Sequence, residues 1–138
     1  MGTTTLVSET GVMVSGAEEL RCVIVDDNAA FLDVAARILE RGGISVIGVA
    51  STIAEAVQRV EELRPNVTLV DVDLGGESGF DLAEELHRAN FHARPKVILI
   101  SAHCEADFAD MIAASPAVGF VSKADLSSRA IHDLLACA

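Results

Sequence analysis

The chain has 138 residues, a formal net charge of -11 at neutral pH, 51% apolar and 4% aromatic residues, and neither Trp nor Tyr. That length suits one domain burying about two thirds of its unfolded surface, and a core so aliphatic suits parallel strands covered by helices on both faces. The acidity excludes a nucleic-acid surface, which needs clustered Lys and Arg to neutralise phosphates, so no direct contact of this segment with nucleic acid is expected.

Residues 1–19, free of Lys and Arg and rich in Thr, Ser, Gly and Val, show no sustained period and read as a loose tail before a domain spanning 20–138. Arg21 to Val25 is predicted as the first strand. Asn28 then caps a helix that turns Phe31, Val34, Ala35, Ile38 and Leu39 inward and stops at Gly42 and Gly43. Ile44 to Val49 forms a second strand. Thr52 and Glu55 make a capping box for a helix burying Ile53, Ala56, Val57, Val60 and Leu63, and Pro65 follows its end.

Val67 to Asp71 is a short apolar run closed by a carboxylate, which reads as a buried third strand, and a third helix is expected from about Gly79 to Arg88 with Phe80, Ala83 and Leu86 inward. Pro95 precedes a fourth strand, Lys96 to Ile100. Its helix, roughly Glu105 to Ala114, buries Phe108, Met111 and Ile112. The fifth strand, Ala117 to Val121, leads to a last helix with Ala130, Ile131, Leu134 and Leu135 on one face. Five strictly alternating strand-helix units predict an α/β fold: a parallel sheet with right-handed crossovers and helices on both faces.

In such a sheet, ligands sit outside the carboxyl ends of the strands. Asp26 and Asp27 end the first strand, Asp71 the third, Ser101 the fourth and Lys123 the fifth. An aspartate at one strand end is commonly a turn former; four strand ends converging on one carboxylate indicate chemistry. Three carboxylates in a partly desolvated crevice repel one another unless a cation binds, and an all-oxygen set favours Mg²⁺ or Mn²⁺ over zinc. A phosphate could then approach Asp71, with Lys123 pairing with one phosphoryl oxygen and Ser101 bonding another.

With these residues in place, the chain from Arg21 to Ala138 resembles the receiver domain of two-component response regulators. The resemblance rests on the Asp26-Asp27 pair, Asp71, Ser101 followed by small Ala102, and Lys123. It implies a flavodoxin-like fold of strand order 2-1-3-4-5. It makes Asp71 the phosphoacceptor, serviced by a sensor histidine kinase or phosphotransfer protein. Asp27, Asp71 and the backbone carbonyl of Asp73 would bind Mg²⁺, with Asp26 acting through water. Phe120, three residues before Lys123, takes the place of the aromatic switch: phosphate would draw in the Ser101 hydroxyl, Phe120 would rotate into the vacated space, and the surface of the fourth helix, fifth strand and fifth helix would change, with homodimer formation as one outcome. The protein would catalyse only its own phosphorylation and dephosphorylation. Gly75 stands where the family frequently has proline and Gly76 follows, which predicts a mobile loop. Asp73 and His103 occupy positions that tune phosphoryl lifetime.

Two other classes stay open from the residues. Asp71-Val72-Asp73 has the D-x-D spacing of haloacid dehalogenase-like phosphatases, although that family places it on the first strand. A scaffold receiver that is never phosphorylated is the second. Adjacent His103 and Cys104 point apart and make a poor dyad; His87, His92 and His132 lack ligand spacing, and no nucleotide cradle is present. The cysteines, Cys22, Cys104 and Cys137, are too dispersed for a disulfide framework or zinc site and read as small buried residues of a cytoplasmic protein. No apolar run approaches the ~20 residues that cross a bilayer, no secretion signal is evident, and Leu6 breaks the myristoylation pattern. The last helix reaches close to Ala138, so either the domain acts by direct contact with a partner or it is the receiver portion of a longer regulator.

Overall fold

Val67–Asp71, designated β3, is buried at every residue, as the central strand of a sheet covered on both faces must be. The computed structural model describes residues 19–88 and 95–137. Around β3 lie β1 (Arg21–Val25), β2 (Ser45–Ala50), β4 (Lys96–Ser101) and β5 (Gly119–Ser122), all parallel, in the order β2-β1-β3-β4-β5. The helices are α1 (Ala29–Arg41), α2 (Ile53–Leu63), α3 (Gly79–Arg88), α4 (Ala109–Ala114) and α5 (Ser128–Ala136). The residues expected to form a tail, 1–18, fall outside the described part.

Alternation along the strands splits the core in two. Cys22, Ile24, Leu69, Ile98, Ile100 and Val121 face α1 and α5, meeting Ala35, Leu39 and Ile131. Val23, Val25, Val70, Val97 and Leu99 face the other way, meeting Ala56 and Val60 of α2 and Leu82, Ala83 and Leu86 of α3. Both layers are aliphatic, and their β-branched residues fit a pleated surface buried on each side.

Side chains cap three helix starts, two of which, at Asn28 and Thr52, the sequence marks. Asn28 Oδ1 accepts from Phe31 N at 3.1 Å, Thr52 Oγ1 from Glu55 N at 3.1 Å, and Ser127 Oγ from Ala130 N at 3.0 Å. The return half of the expected capping box differs: Glu55 Oε1 accepts from Ser51 N and Ser51 Oγ, one residue before the cap. These bonds hold the exposed Glu55 carboxyl below its usual value. At the far end of α2, Arg64 takes the left-handed conformation (φ 51°), and the Arg21 guanidinium donates to the carbonyls of Leu63 and Arg64.

Several expectations need correction. Val34 and Ile38 of α1 are exposed, because Ala35 and Leu39 form the centre of the buried stripe and their neighbours rotate off it. Leu82, not singled out from sequence, is fully buried while Phe80 is only half-buried. The second strand begins at Ser45 and runs to Ala50, the fourth extends to Ser101, and the fifth begins at Gly119. The fourth helix opens as a 3₁₀ turn, Glu105–Phe108, and leaves Met111 exposed. Of the cysteines only Cys22 is buried, its thiol pushed up to about 12 by burial; Cys104 and Cys137 are exposed. Among the described residues, no helix is long and apolar enough to cross a membrane.

Candidate functional site

The acidic cluster forms at the carboxyl end of the sheet because β1 and β3 are neighbours that end level with each other: Val25 pairs with Val70, and each strand continues directly into its aspartates. Asp26, Asp27 and Asp71 each present a carboxylate oxygen within 4.8 Å of the others. Asp26 is fully buried, Asp71 nearly so, and Asp27 exposed.

Lys123, at the end of β5, reaches back across the sheet. Its Nζ lies 2.6 Å from Asp26 Oδ2 and 3.0 Å from Asp71 Oδ2. The contact with Asp71 is an aligned hydrogen bond, and the shorter one with Asp26 is an ion pair with a fully buried carboxylate. The ammonium also sits 4.3 Å from the centroid of the Phe31 ring. Burial pulls the Lys123 ammonium down, but its pairing with Asp26 and Asp71 outweighs this and leaves it above its ordinary value. For Asp71, burial is the largest influence and pushes the carboxyl up. The Asp73 amide and Lys123 pull it back and the Asp26 charge pushes it further, with a net upward balance.

The donor set fits a hard divalent cation. One ammonium faces three clustered carboxylates, which leaves negative charge uncompensated, and all prospective ligands are oxygen. Asp73 N donates to Asp71 Oδ1 at 3.1 Å, while the Asp73 carboxylate accepts from Gly75 N at 3.1 Å. Asp73 is thus wrapped onto its own loop instead of standing beside Asp71 as the acid of a D-x-D phosphatase, and the dehalogenase-type reading finds no support.

Of the other predicted site residues, Ser101 ends β4 one position beyond Ile100, the register partner of Asp71, and its Oγ accepts from His103 N at 3.0 Å. Phe120 is buried on β5 with its ring centroid 6.3 Å from that of Phe108, which in turn lies 6.1 Å from Phe80 and 6.3 Å from the His103 ring. The structure therefore unites Asp26, Asp27, Asp71 and Lys123, and places Ser101 at the end of β4, His103 two residues beyond it and Phe120 within β5, none of them hydrogen-bonded to the carboxylates. His92 falls outside the described residues.

Three contributors escaped sequence reasoning. Phe31, read as core, is the platform for Lys123. Gly79 starts α3 flush against the end of β3: a Cβ there would lie 2.0 Å from the Asp71 carbonyl oxygen, so only glycine fits. Glu77 accepts from Ile53 N at 2.9 Å. With Leu74 N bonded to Glu77 O and Gly79 N to Val72 O, it closes a loop that two glycines predicted to be mobile. Gly75 has φ 76°, a value that proline cannot adopt, which accounts for the departure noted there.

Comparisons with known proteins agree with this geometry. The chain matches the response regulator receiver domain over residues 22–135. It is 29% identical to the DNA-binding transcriptional activator EvgA of Escherichia coli K12 over 104 residues, 75% of this chain and 50% of that protein. It is also 29% identical to the probable transcriptional regulatory protein NarL of Mycobacterium tuberculosis H37Rv over 122 residues, 88% of this chain and 56% of that one. The chain thus spans about half the length of these relatives. The solved receiver domain of the M. tuberculosis NarL superposes with a TM-score of 0.75 at 28% identity, covering 87% of this chain and 96% of that one. A CheY-like receiver from Methylobacillus flagellatus, at 16% identity and TM-score 0.74, shares the fold. The sheet order, the acidic cluster and the family match together show that this chain belongs to the receiver domain family of two-component response regulators.

Proposed function

We propose that Asp71 accepts a phosphoryl group from a phosphohistidine on a sensor histidine kinase or phosphotransfer protein. The observation that carries this reading is the cluster itself: three carboxylate oxygens within 4.8 Å of one another, with a single ammonium in contact with two of them. An Asp71 carboxylate oxygen attacks phosphorus, the P–N bond breaks, and the histidine nitrogen leaves with its electron pair and takes up a proton. Asp26, Asp27, Asp71 and the Asp73 carbonyl would hold Mg²⁺, Asp26 through water; Mn²⁺ has the same oxygen preference. When bound, the metal would neutralise charge on the incoming phosphoryl oxygens. Lys123 is free to exchange its carboxylate contact for a phosphoryl oxygen, and Ser101 can donate its hydroxyl to another.

Phosphate at Asp71 would then bias Ser101 and the neighbouring Phe120, altering the surface of α4, β5 and α5 for an output partner or a second copy. Asp73 and His103 flank the site where they would tune phosphoryl lifetime. On this reading the protein works in the cytoplasm and turns over no substrate but itself. Intact-mass measurement with acetyl phosphate and Mg²⁺ tests it. Wild type should gain one acid-labile phosphate and Asp71→Asn none; equal labelling of the variant overturns the assignment of Asp71, and no binding of Mg²⁺ and beryllofluoride by wild type overturns the reading in favour of the scaffold class.

A further inference from the structure

The loop that follows Asp71 carries the Asp73 carbonyl and passes close to Asp27, where a Cβ on Gly75 would lie 3.2 Å from Asp27 Oδ2. Its shape therefore sets where two prospective metal oxygens stand. Within residues 73–78 two hydrogen bonds are internal, Gly75 N to Asp73 Oδ1 and Leu74 N to Glu77 O, and others run to the chain on either side, to Asp71 and to the first turn of α3. Among the described residues one bond ties that stretch to a distant element. It runs from Ile53 N, the first amide of α2, to Glu77 Oε1 at 2.9 Å.

The anchor point is rigid. α2 is packed through buried Ala56 and Val60, capped by Thr52, and held at its other end by Arg21. The bond satisfies a first-turn amide that has no partner within the helix, so an acceptor oxygen at this place is what the anchor needs. Gly75 and Gly76 supply no stiffness of their own, so the loop borrows it from α2.

We propose that Glu77 is a positioning residue for the metal site, holding the Asp73–Ser78 loop against the start of α2 so that the Asp73 carbonyl and the Asp27 carboxylate keep their places. This rests on the proposed Mg²⁺-dependent phosphorylation, and the experiment separates the two. Isothermal titration with Mg²⁺ and amide exchange of the metal-free protein by NMR are measured on wild type, Glu77→Ala, Glu77→Gln and Ile53→Pro. The glutamine keeps the acceptor oxygen without the charge. The proline removes the donor at a first helical position that tolerates it, after a residue already extended (Thr52 φ −133°, ψ 164°).

Glu77→Ala should weaken Mg²⁺ binding about tenfold and speed Leu74 and Gly75 exchange comparably, whereas Glu77→Gln should stay within about twofold of wild type. Ile53→Pro should match the alanine variant, with no further loss in the double variant. At saturating Mg²⁺, phosphorylation of Glu77→Ala by acetyl phosphate should recover. Unchanged metal affinity and loop exchange in a Glu77→Ala protein of lowered Tm overturns the proposal, leaving Glu77 a helix cap. Equal damage from alanine and glutamine overturns it too, by assigning the effect to charge. If wild type binds no Mg²⁺, the proposed function fails while the exchange data still decide whether Glu77 holds the loop.

Discussion

Helices α2 and α4 pack on the same face of the sheet but are held in contrasting ways. α2 buries Ala56 and Val60 and receives side chains at both ends: Thr52 and Glu77 at its start, Arg21 at its finish. α4 has six residues, none of them buried, follows a 3₁₀ turn, and has no side-chain cap at its start. What holds it is the half-buried Phe108 and Ile112. The difference teaches where the fold concentrates rigidity: on the side that steadies the acidic cluster, and away from the side where a signal would be displayed. Local openings should therefore begin at α4.

That contrast can be broken first at its strongest point. Val60→Ala removes two buried methyl-sized groups and should cost roughly 2 kcal/mol in denaturant unfolding. Next, Arg21→Ala takes the guanidinium from the α2 carboxyl end and should cost about 1 kcal/mol, with faster amide exchange confined to the last turn of α2.

The site's own charge comes third. Burial raises the Asp71 carboxyl above its unfolded value of 3.8, so the neutral form favours folding. This contribution is complete below pH 3.8 and is lost as pH rises through the folded value. Asp71→Asn should thus stabilise the metal-free protein at neutral pH, by under about 1 kcal/mol after screening in a part-open crevice, and remove the gain in Tm that Asp71 contributes on acidification. The order of exchange, α4 before α2, should persist. Smallest of all, Met111→Ser on the exposed face of α4 should move stability by no more than about 0.5 kcal/mol; a larger loss would show α4 to be anchored after all.

The legible parts of this chain were those encoded locally. β3 announced itself as an aliphatic run ending in Asp71, and Thr52 marked the start of α2 by its position before an apolar stripe. The site was legible because parallel topology makes strand ends converge, so Asp26, Asp71 and Lys123 could be placed together without coordinates. Contacts between distant segments had no such signal. Nothing near Glu77 or Arg21 in sequence says that each will finish one end of α2, and nothing near Phe31 says that its ring will lie beside Lys123. Helical spacing likewise does not say how wide the buried stripe of α1 is, so the pattern points Val34 and Ile38 inward although both are exposed.

Lys123 is one of only two lysines in the chain, the other being the exposed Lys96 at the opposite, amino end of β4. Gripped by two carboxylates and kept protonated, Lys123 offers little free amine to acylating reagents, whereas Lys96 is open to them. Of the two side chains, Lys96 should take a biotin or a surface linkage first, tethering the molecule by its floor with the acidic crevice facing the solution.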